Sequence, residues 1–550
     1  MKKLYTLLIL SSLFSLTFSV KAQEGMVISG SHVIVHADTY LGMEGNLKVS
    51  TTKGLIIKPE ASVTTKGNLT LATARKGIVV QTGAGNDSVK RASYIVYGTV
   101  NHSGKGSMEV QSYITGIAGS DTVYHMHFVG APVEDTTSGY NNSVRLQQFD
   151  MTHLDTYAYR YFASIDTNDP NTPWVNVWPY DYEIPLGEGL TLTNGMAGTD
   201  TIIMEGYPVG NDITYTLTYN ANNPYELISN PFPSAIDFDQ FASDNSSYIF
   251  NKYKIWDASA ANYVVRSNGT GSYRDIQYGQ AFFVVVRSTA NGSNLTFNDG
   301  QKTHSNDPFR ETNLNELAMY VEGGSIGFKD ELYIRFKEDA LSGLDDYDAL
   351  KWNSINYQAT MIRSVAEDGS ELAINMLPPE LLYAGETTVP VHFECGEEAE
   401  YTFTFKGISS FEDDAEIWLE DKQQGDIIPG WTYIEEDGFQ YTFTAAPDDA
   451  KDRFNIHFFG PTSTPEDNIN PGDGNMKIYA SGMYAYIMNN TKETIRQVSI
   501  YNLMGKNVYT GTLPEQTLNK LFVSDRTGYY VVRVNTDENT YTQKVLIFNQ

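Results

Sequence analysis

Two histidines stand two residues apart in "YHMHF" (124–128), and on a strand His125 and His127 would share one face. That spacing can hold Zn²⁺ or Cu²⁺, but a stable site needs more ligands, and no third one is identifiable. The single cysteine, Cys395, lies in "HFECGEE", where neighbouring carboxylates raise a thiol's pKa instead of activating it. The acidic runs "LDDYDA" (344–349) and "EDDAE" (412–416) lack the alternating oxygen ligands and the glycine of an EF-hand loop, so they read as solvated loops. No nucleophile elbow, His-Glu-x-x-His helix, P-loop or dinucleotide fingerprint is present. Acids are abundant, with 67 Asp and Glu, so a glycosidase pair cannot be picked out by spacing. No catalytic, cofactor or metal residue is therefore assigned. The expectation is a non-enzymatic protein, with a secreted glycan-active hydrolase as the alternative.

One stretch offers a binding chemistry. In "NTPWVNVWPYDYEIPLGEGL" (171–190), Trp174, Trp178, Tyr180 and Tyr182 have the same parity, so an extended strand would turn them to one side. Such a face could stack on sugar rings, or it could be core.

The elements that would position these groups are strands. Segments such as "YTFTFKG" (401–407) and "YVVRV" (530–534) alternate, Gly, Asn, Ser and Thr punctuate them, and long helical periodicity is nearly absent, so the chain is all-β. Residues 23–115 carry a repeat: "GNLKV" (45–49) returns as "GNLTL" (67–71), and "GLIIK" (54–58) as "GIVVQ" (77–81). The run "TYLGMEG" (39–45) aligns with "ASVTTKG" (61–67) and loosely with "GTVNHSG" (98–104). A period of about 20–25 residues suits a parallel β-solenoid with glycines at its corners, where a positive φ or close stacking excludes a Cβ; a small sandwich of similar hairpins is the alternative. Residues 116–305 form a β-rich module, in which "NPFPSAIDFDQF" (230–241) reads as a two-proline turn and then a helix starting at Ser234. Residues 306–460 read as a β-sandwich. The Pro-, Gly- and Asp-rich stretch 461–475 is a linker, leaving 476–550 as a small Ig-like sandwich.

The first residues address the compartment. Lys2 and Lys3, an apolar run from Leu4 to Phe18 and the small residues Val20 and Ala22 make a signal peptide cut between Ala22 and Gln23. Its apolar run is short for a permanent span, and no other stretch approaches spanning length. One cysteine forms no internal disulfide, so stability must come from buried surface. A formal charge of −29 argues against nucleic acid and anionic membranes as partners.

The ending supplies a destination. Val498, Ile500, Tyr501, Gly505, Lys506, Val508 and Tyr509, then Gly528, Tyr529, Tyr530, Val531 and Val532, then Lys544, Val545 and Leu546 follow strand, turn and strand in order. This pattern resembles the C-terminal sorting domain of type IX secretion substrates from Bacteroidetes. "MKIYASG" stands where the family's common Tyr-Pro-Asn-Pro opening would be. The middle also resembles recurrent units of such surface proteins, in "NPFPSAIDFDQF", "IWDASAANYV", "GQAFFVVV" and "LTFNDGQKTHS", and then in "LAINMLPPE", "YTFTFKG" and "IWLEDKQQG". The resemblance implies a secreted or cell-surface protein whose partner is the type IX machinery. It also implies a tail that is often removed, with 461–475 as the cutting site, and it implies no catalytic activity. The passenger would serve adhesion, matrix or glycan contact. Ser88, Thr122, Thr136 and Thr201 sit in short Asp-led triplets that resemble the O-glycosylation acceptor of the same bacteria.

Overall fold

A computed structural model of the chain describes residues 18–22, 25–72, 75–83, 90–103, 106–116, 126–134, 143–145, 158–161, 174–177, 182–193, 198–258, 260–271, 274–305, 314–325, 327–382, 386–411, 415–423, 430–459, 476–481, 483–489, 491, 493–502, 506–513, 518–523 and 528–547. Strands dominate throughout, so the fold is all-β. The chain divides into two compact units, 1–311 with 352–359, and 312–351 with 360–550.

The first unit opens with three parallel sheets that the chain visits in rotation. One orders Phe18–Ala22, Thr39–Met43, Ser62–Thr65 and Ser93–Val96; a second orders Met26–Ile28, Leu47–Val49, Leu69–Ala72 and Val100–Ser103. The third runs Val33–Val35, Leu55–Ile57, Ile78–Val80 and Met108–Gly116. Leu47, Val49, Leu55, Ile57, Leu69, Leu71, Ile78 and Val80 are all fully buried, so equivalent positions of successive repeats fill one interior. The repeat's asparagine forms a ladder. The Asn68 amide donates to Asn46 Oδ1 at 2.7 Å, and the Thr99 amide donates to Asn68 Oδ1 at 3.0 Å. Thr99 thus stands where the third asparagine would be. Because Val100–Ser103 lies on Leu69–Ala72, residues 98–100 are the counterpart of "GNL", and 98–104 is not the counterpart of the run before it.

Met108–Gly116 ends this parallel run by also pairing antiparallel with Gly198–Gly206. The interior continues past residue 115, with Val129, Ala131, Ile184, Leu190 and Tyr278 in the same core as the repeat's leucines. A second core forms where helix Phe238–Asp244 lays Phe238, Phe241 and Ala242 on the sheet carrying Phe282 and Val284. The helix begins at Phe238 and not at Ser234, because Ala235–Asp237 is a strand paired to Ile276 and Lys302, and the Asp237 carboxylate caps the Gln240 amide at 3.1 Å. The two-proline turn before it is held by buried Asn230, whose Nδ2 donates to the Ser234 and Ile276 carbonyls. Further on, half-buried His304 reaches the first parallel sheet: its ring nitrogens lie 2.6 Å from Thr64 Oγ1 and 2.8 Å from Ser93 Oγ, and desolvation pushes its pKa down to about 4.

The second unit holds an eleven-stranded, mainly antiparallel sheet running from Gly430–Tyr433 at one end to Gln440–Ala445 at the other. Phe403, Phe405 and Phe443, from the two strands at one end, share a core with Phe454 and Phe458, from a strand near the other. Residues 476–547 add two antiparallel sheets around a core of their own. One contains Met476–Ser481, Tyr484–Asn489 and Leu518–Phe522; the other contains Asn507–Gly511, Ile495–Asn502, Gly528–Thr536 and Thr540–Ile547.

Candidate functional site

The C-terminal domain arranges its motif in two ways. Val498 and Ile500 alternate into the core and meet Val532, Val534, Val545 and Ile547 from the next two strands. Tyr530 is buried with them, and Val531 on the opposite face is half-buried. Gly528 and Tyr529 pair with Ile547 and Leu546, and Val531 pairs with Lys544, so the motif's last two pieces are neighbouring strands in register. Gly505 lies outside the described residues. Of the described residues on either side, the Asn502 amide donates to the Lys506 carbonyl at 2.9 Å, and the Lys506 amide donates to Asn502 Oδ1 at 3.0 Å. Lys506 and Val508 are exposed, on or next to the edge strand Asn507–Gly511.

The aromatic stretch is split. Trp174 starts the short strand Trp174–Asn176, whereas Tyr182 precedes Glu183–Pro185, which belongs to a different sheet, so the two are not on one extended strand. Trp178 and Tyr180 lie outside the described residues. Half-buried Trp174 meets Tyr161 and Phe283 edge-to-face, with ring centroids 5.0 and 6.1 Å away, and Phe128 also contacts it. Trp352, from the segment 352–359, extends the cluster through Tyr225, Tyr263 and Phe283, and Lys254 Nζ lies 4.1 Å from its ring centre.

Beside these rings is a buried acid pair that spacing did not reveal. Glu188 is 3% exposed; Arg160 reaches it at 2.8 Å, and the Tyr182 hydroxyl donates to its other oxygen. Glu226 is 6% exposed and accepts from the Tyr215 hydroxyl at 2.9 Å. The adjoining Tyr161 hydroxyl donates to Asn223 Oδ1 at 2.6 Å. Burial pushes the Glu226 carboxyl up to about 7, against the pull of the Tyr215 hydroxyl. Burial raises Glu188 too, with Arg160 opposing. The signal available in sequence was a lone Glu between the apolar residues of "YELIS" (225–229).

The Glu226 shift has a signed consequence. A folded-state pKa above the ordinary carboxylate value favours the protonated acid, so its stabilising contribution is complete below about pH 4.5 and is lost as pH rises towards 7. Glu226→Gln stays neutral, so its stability relative to the parent is expected to rise by about 1–2 kcal/mol between pH 5 and pH 8. Urea unfolding of both proteins at the two pH values checks this, and parallel pH profiles would refute it.

Cys395 is half-buried, and burial, more than its acidic neighbours Asp449 and Glu397, raises its thiol pKa. In "LDDYDA", Asp345 accepts from the Leu341 and Tyr347 amides and Asp348 from the Asp345 and Met376 amides, so these carboxylates hold a turn. His127 lies on the strand Met126–Val129, while His125 lies outside the described residues. Among the described residues, no three His, Cys, Asp or Glu converge as a metal-binding set. Thr201 is half-buried mid-strand opposite Tyr113; Ser88, Thr122 and Thr136 lie outside the described residues.

Comparison with known families places both parts. A model of a domain of unknown function, DUF8693, matches residues 16–458. The chain belongs to that family. The match runs through the repeat region, the β-rich module and the long sheet, so the DUF8693 region includes all of them. A second model, the secretion system C-terminal sorting domain, matches residues 470–548, which contain the two-sheet domain. This DUF8693 member is therefore a type IX secretion substrate, exported to the cell surface or the medium. No curated protein matches the chain. Among the described residues, no helix is long and apolar enough to cross a membrane.

Proposed function

We propose that residues 476–550 are read by the type IX machinery, and that the exported passenger acts outside the cell in adhesion, matrix or glycan contact. The observation that carries the proposal is the sorting-domain match over a domain with its own two sheets and core. Within it, Val498, Ile500, Val532 and Val545 maintain the fold, while exposed Lys506 and Val508 are available to be recognised. The passenger divides into a solenoid-like region (23–115), a β-rich module (116–305) and a sandwich module (306–460), followed by the linker 461–475. The solenoid reading is supported by three parallel sheets visited in rotation and by the asparagine ladder. Signal cleavage between Ala22 and Gln23 completes the scheme. It would remove Phe18–Ala22 from its pairing with Thr39–Met43 and leave the latter as a sheet edge.

Cell fractionation tests the export reading. A chain ending at Pro461 is expected to be retained inside, while the chain ending at Gln550 reaches the surface or medium. Equal export of both would refute it.

A glycan hydrolase is the second reading, and the raised carboxyl of Glu226 beside Glu188 is what favours it. The contact reading expects no release of reducing ends from polysaccharides. Release abolished by Glu226→Gln and Glu188→Gln would replace it.

A further inference from the structure

A strand with one face on a core normally shows alternating burial. Tyr484–Asn489 does not: Ala485 and Ile487 enter the C-terminal core, yet Tyr486 and Met488 on the opposite face are 3% and 0% exposed. The same departure occurs in the long sheet of this unit. On Glu416–Asp421 and Phe454–Phe459, the residues Ile417, Leu419, Ile456 and Phe458 face the sheet's core. Trp418, His457 and Phe459 alternate away from that core and are nonetheless buried. Trp431 and Tyr433 lie across from Glu420 and Trp418 on the neighbouring strand, so they share this outer face, and Trp431 stacks on His457 at 3.9 Å. Met488, Trp418 and Phe459 form one apolar cluster, with Trp431 and Tyr433 packed against it.

We propose that the sorting domain is docked and not a free pendant: its outer face, through Met488, seats on the aromatic outer face of the sandwich. The folded sandwich then fixes the direction in which the sorting domain is presented, and undocking bares an aromatic patch. Methionine suits such a seat, because its flexible, polarizable thioether adapts to ring faces. An alternating polar face would have sufficed for a domain that moved independently.

Methionine oxidation tests this on the intact chain, since reaction with hydrogen peroxide follows thioether exposure. Met483 in the same domain is only half-buried and serves as the internal reference. Peptide mass spectrometry is expected to find Met488 oxidised at least ~10-fold more slowly than Met483. Trp431→Ala removes a ring from the sandwich side alone and should bring the Met488 rate to within ~3-fold of Met483. Tyr433→Ser is the second variant if Trp431→Ala disturbs the sheet, with amide exchange of Phe454–Phe459 reporting on that sheet. Equal oxidation of the two methionines in the parent would overturn the dock. So would Met488 protection that survives both sandwich-side variants.

Discussion

Asp421→Ala is expected to lower the stability of the second unit by about 3–5 kcal/mol, because it strands a buried guanidinium. Asp421 is fully buried and Arg453 nearly so, and they meet in a two-pronged pair: Nε donates to Oδ1 at 2.8 Å and Nη2 to Oδ2 at 2.7 Å. The carboxylate also accepts from the Tyr441 hydroxyl and the Gln423 amide, while Arg453 Nη1 donates to the Thr444 carbonyl. The rings of Phe443 and Phe454 lie 4.8 and 5.0 Å from the guanidinium carbon. Deleting the acid leaves a nearly buried cation among rings and carbonyls. Replacing both charges, as in Asp421→Leu with Arg453→Met, should recover much of the loss, because the main penalty is the unpaired charge. Amide exchange of Phe454–Phe459 under native conditions measures the effect locally. A loss below about 1 kcal/mol would mean that the pair behaves like an exposed one.

How much of this was legible in sequence depends on how locally each feature is encoded. The paired "GNL" segments were visible because the same residue types recur in identical roles, and each leucine is now seen filling the same interior. The third turn was misaligned because more residues separate Ile78–Val80 from Ser93–Val96 than separate Leu55–Ile57 from Ser62–Thr65, which shifts the spacing, and because threonine replaces the ladder asparagine while keeping the hydrogen bond. The sorting motif was legible as alternating strands of fixed order. By contrast, the Trp174 cluster draws on Phe128, Tyr161, Phe283 and Trp352, and no periodicity links positions so far apart. Shared parity over 174–182 assumed one extended strand, but Trp174–Asn176 and Glu183–Pro185 are separate strands of different sheets. Glu188 and Glu226 were hidden among many acids, since only burial distinguishes them. The dock did leave a trace: "YAYIM" (484–488) is apolar on both parities, as a strand covered on both faces should be.

Gly67→Ala is expected to cost about 3 kcal/mol, although it adds a single methyl group. A Cβ at Gly67 would lie 2.5 Å from the carbonyl carbon of Gly45, and one at Gly98 would lie 2.4 Å from the carbonyl oxygen of Gly67. The chain thus stacks glycine on glycine, and although one neighbour of Gly67 is the Asn46 side-chain oxygen at 2.6 Å, the Gly45 carbonyl is backbone that no rotamer change can move aside. Neither Gly67 nor Gly98 has a positive φ, so the requirement is for space and not for a special torsion. Relief would need the strands to separate. The same corner, however, is fastened by Leu47 donating to Asn68 at 2.9 Å, Leu69 donating to Thr99 at 3.0 Å, and the asparagine ladder beside them. Spreading the turns to admit the methyl would stretch these bonds and open the interior packed by Leu47 and Leu69, so a small steric insult spreads through a repeating structure. Gly343→Ala is the matched control, because its added methyl would touch only the Asp368 side chain at 3.5 Å and should change stability by no more than about 0.5 kcal/mol. Urea unfolding of the two variants beside the parent decides the matter. If Gly67→Ala were as harmless as Gly343→Ala, successive turns could move apart freely, and the glycine stack would not be what sets their spacing.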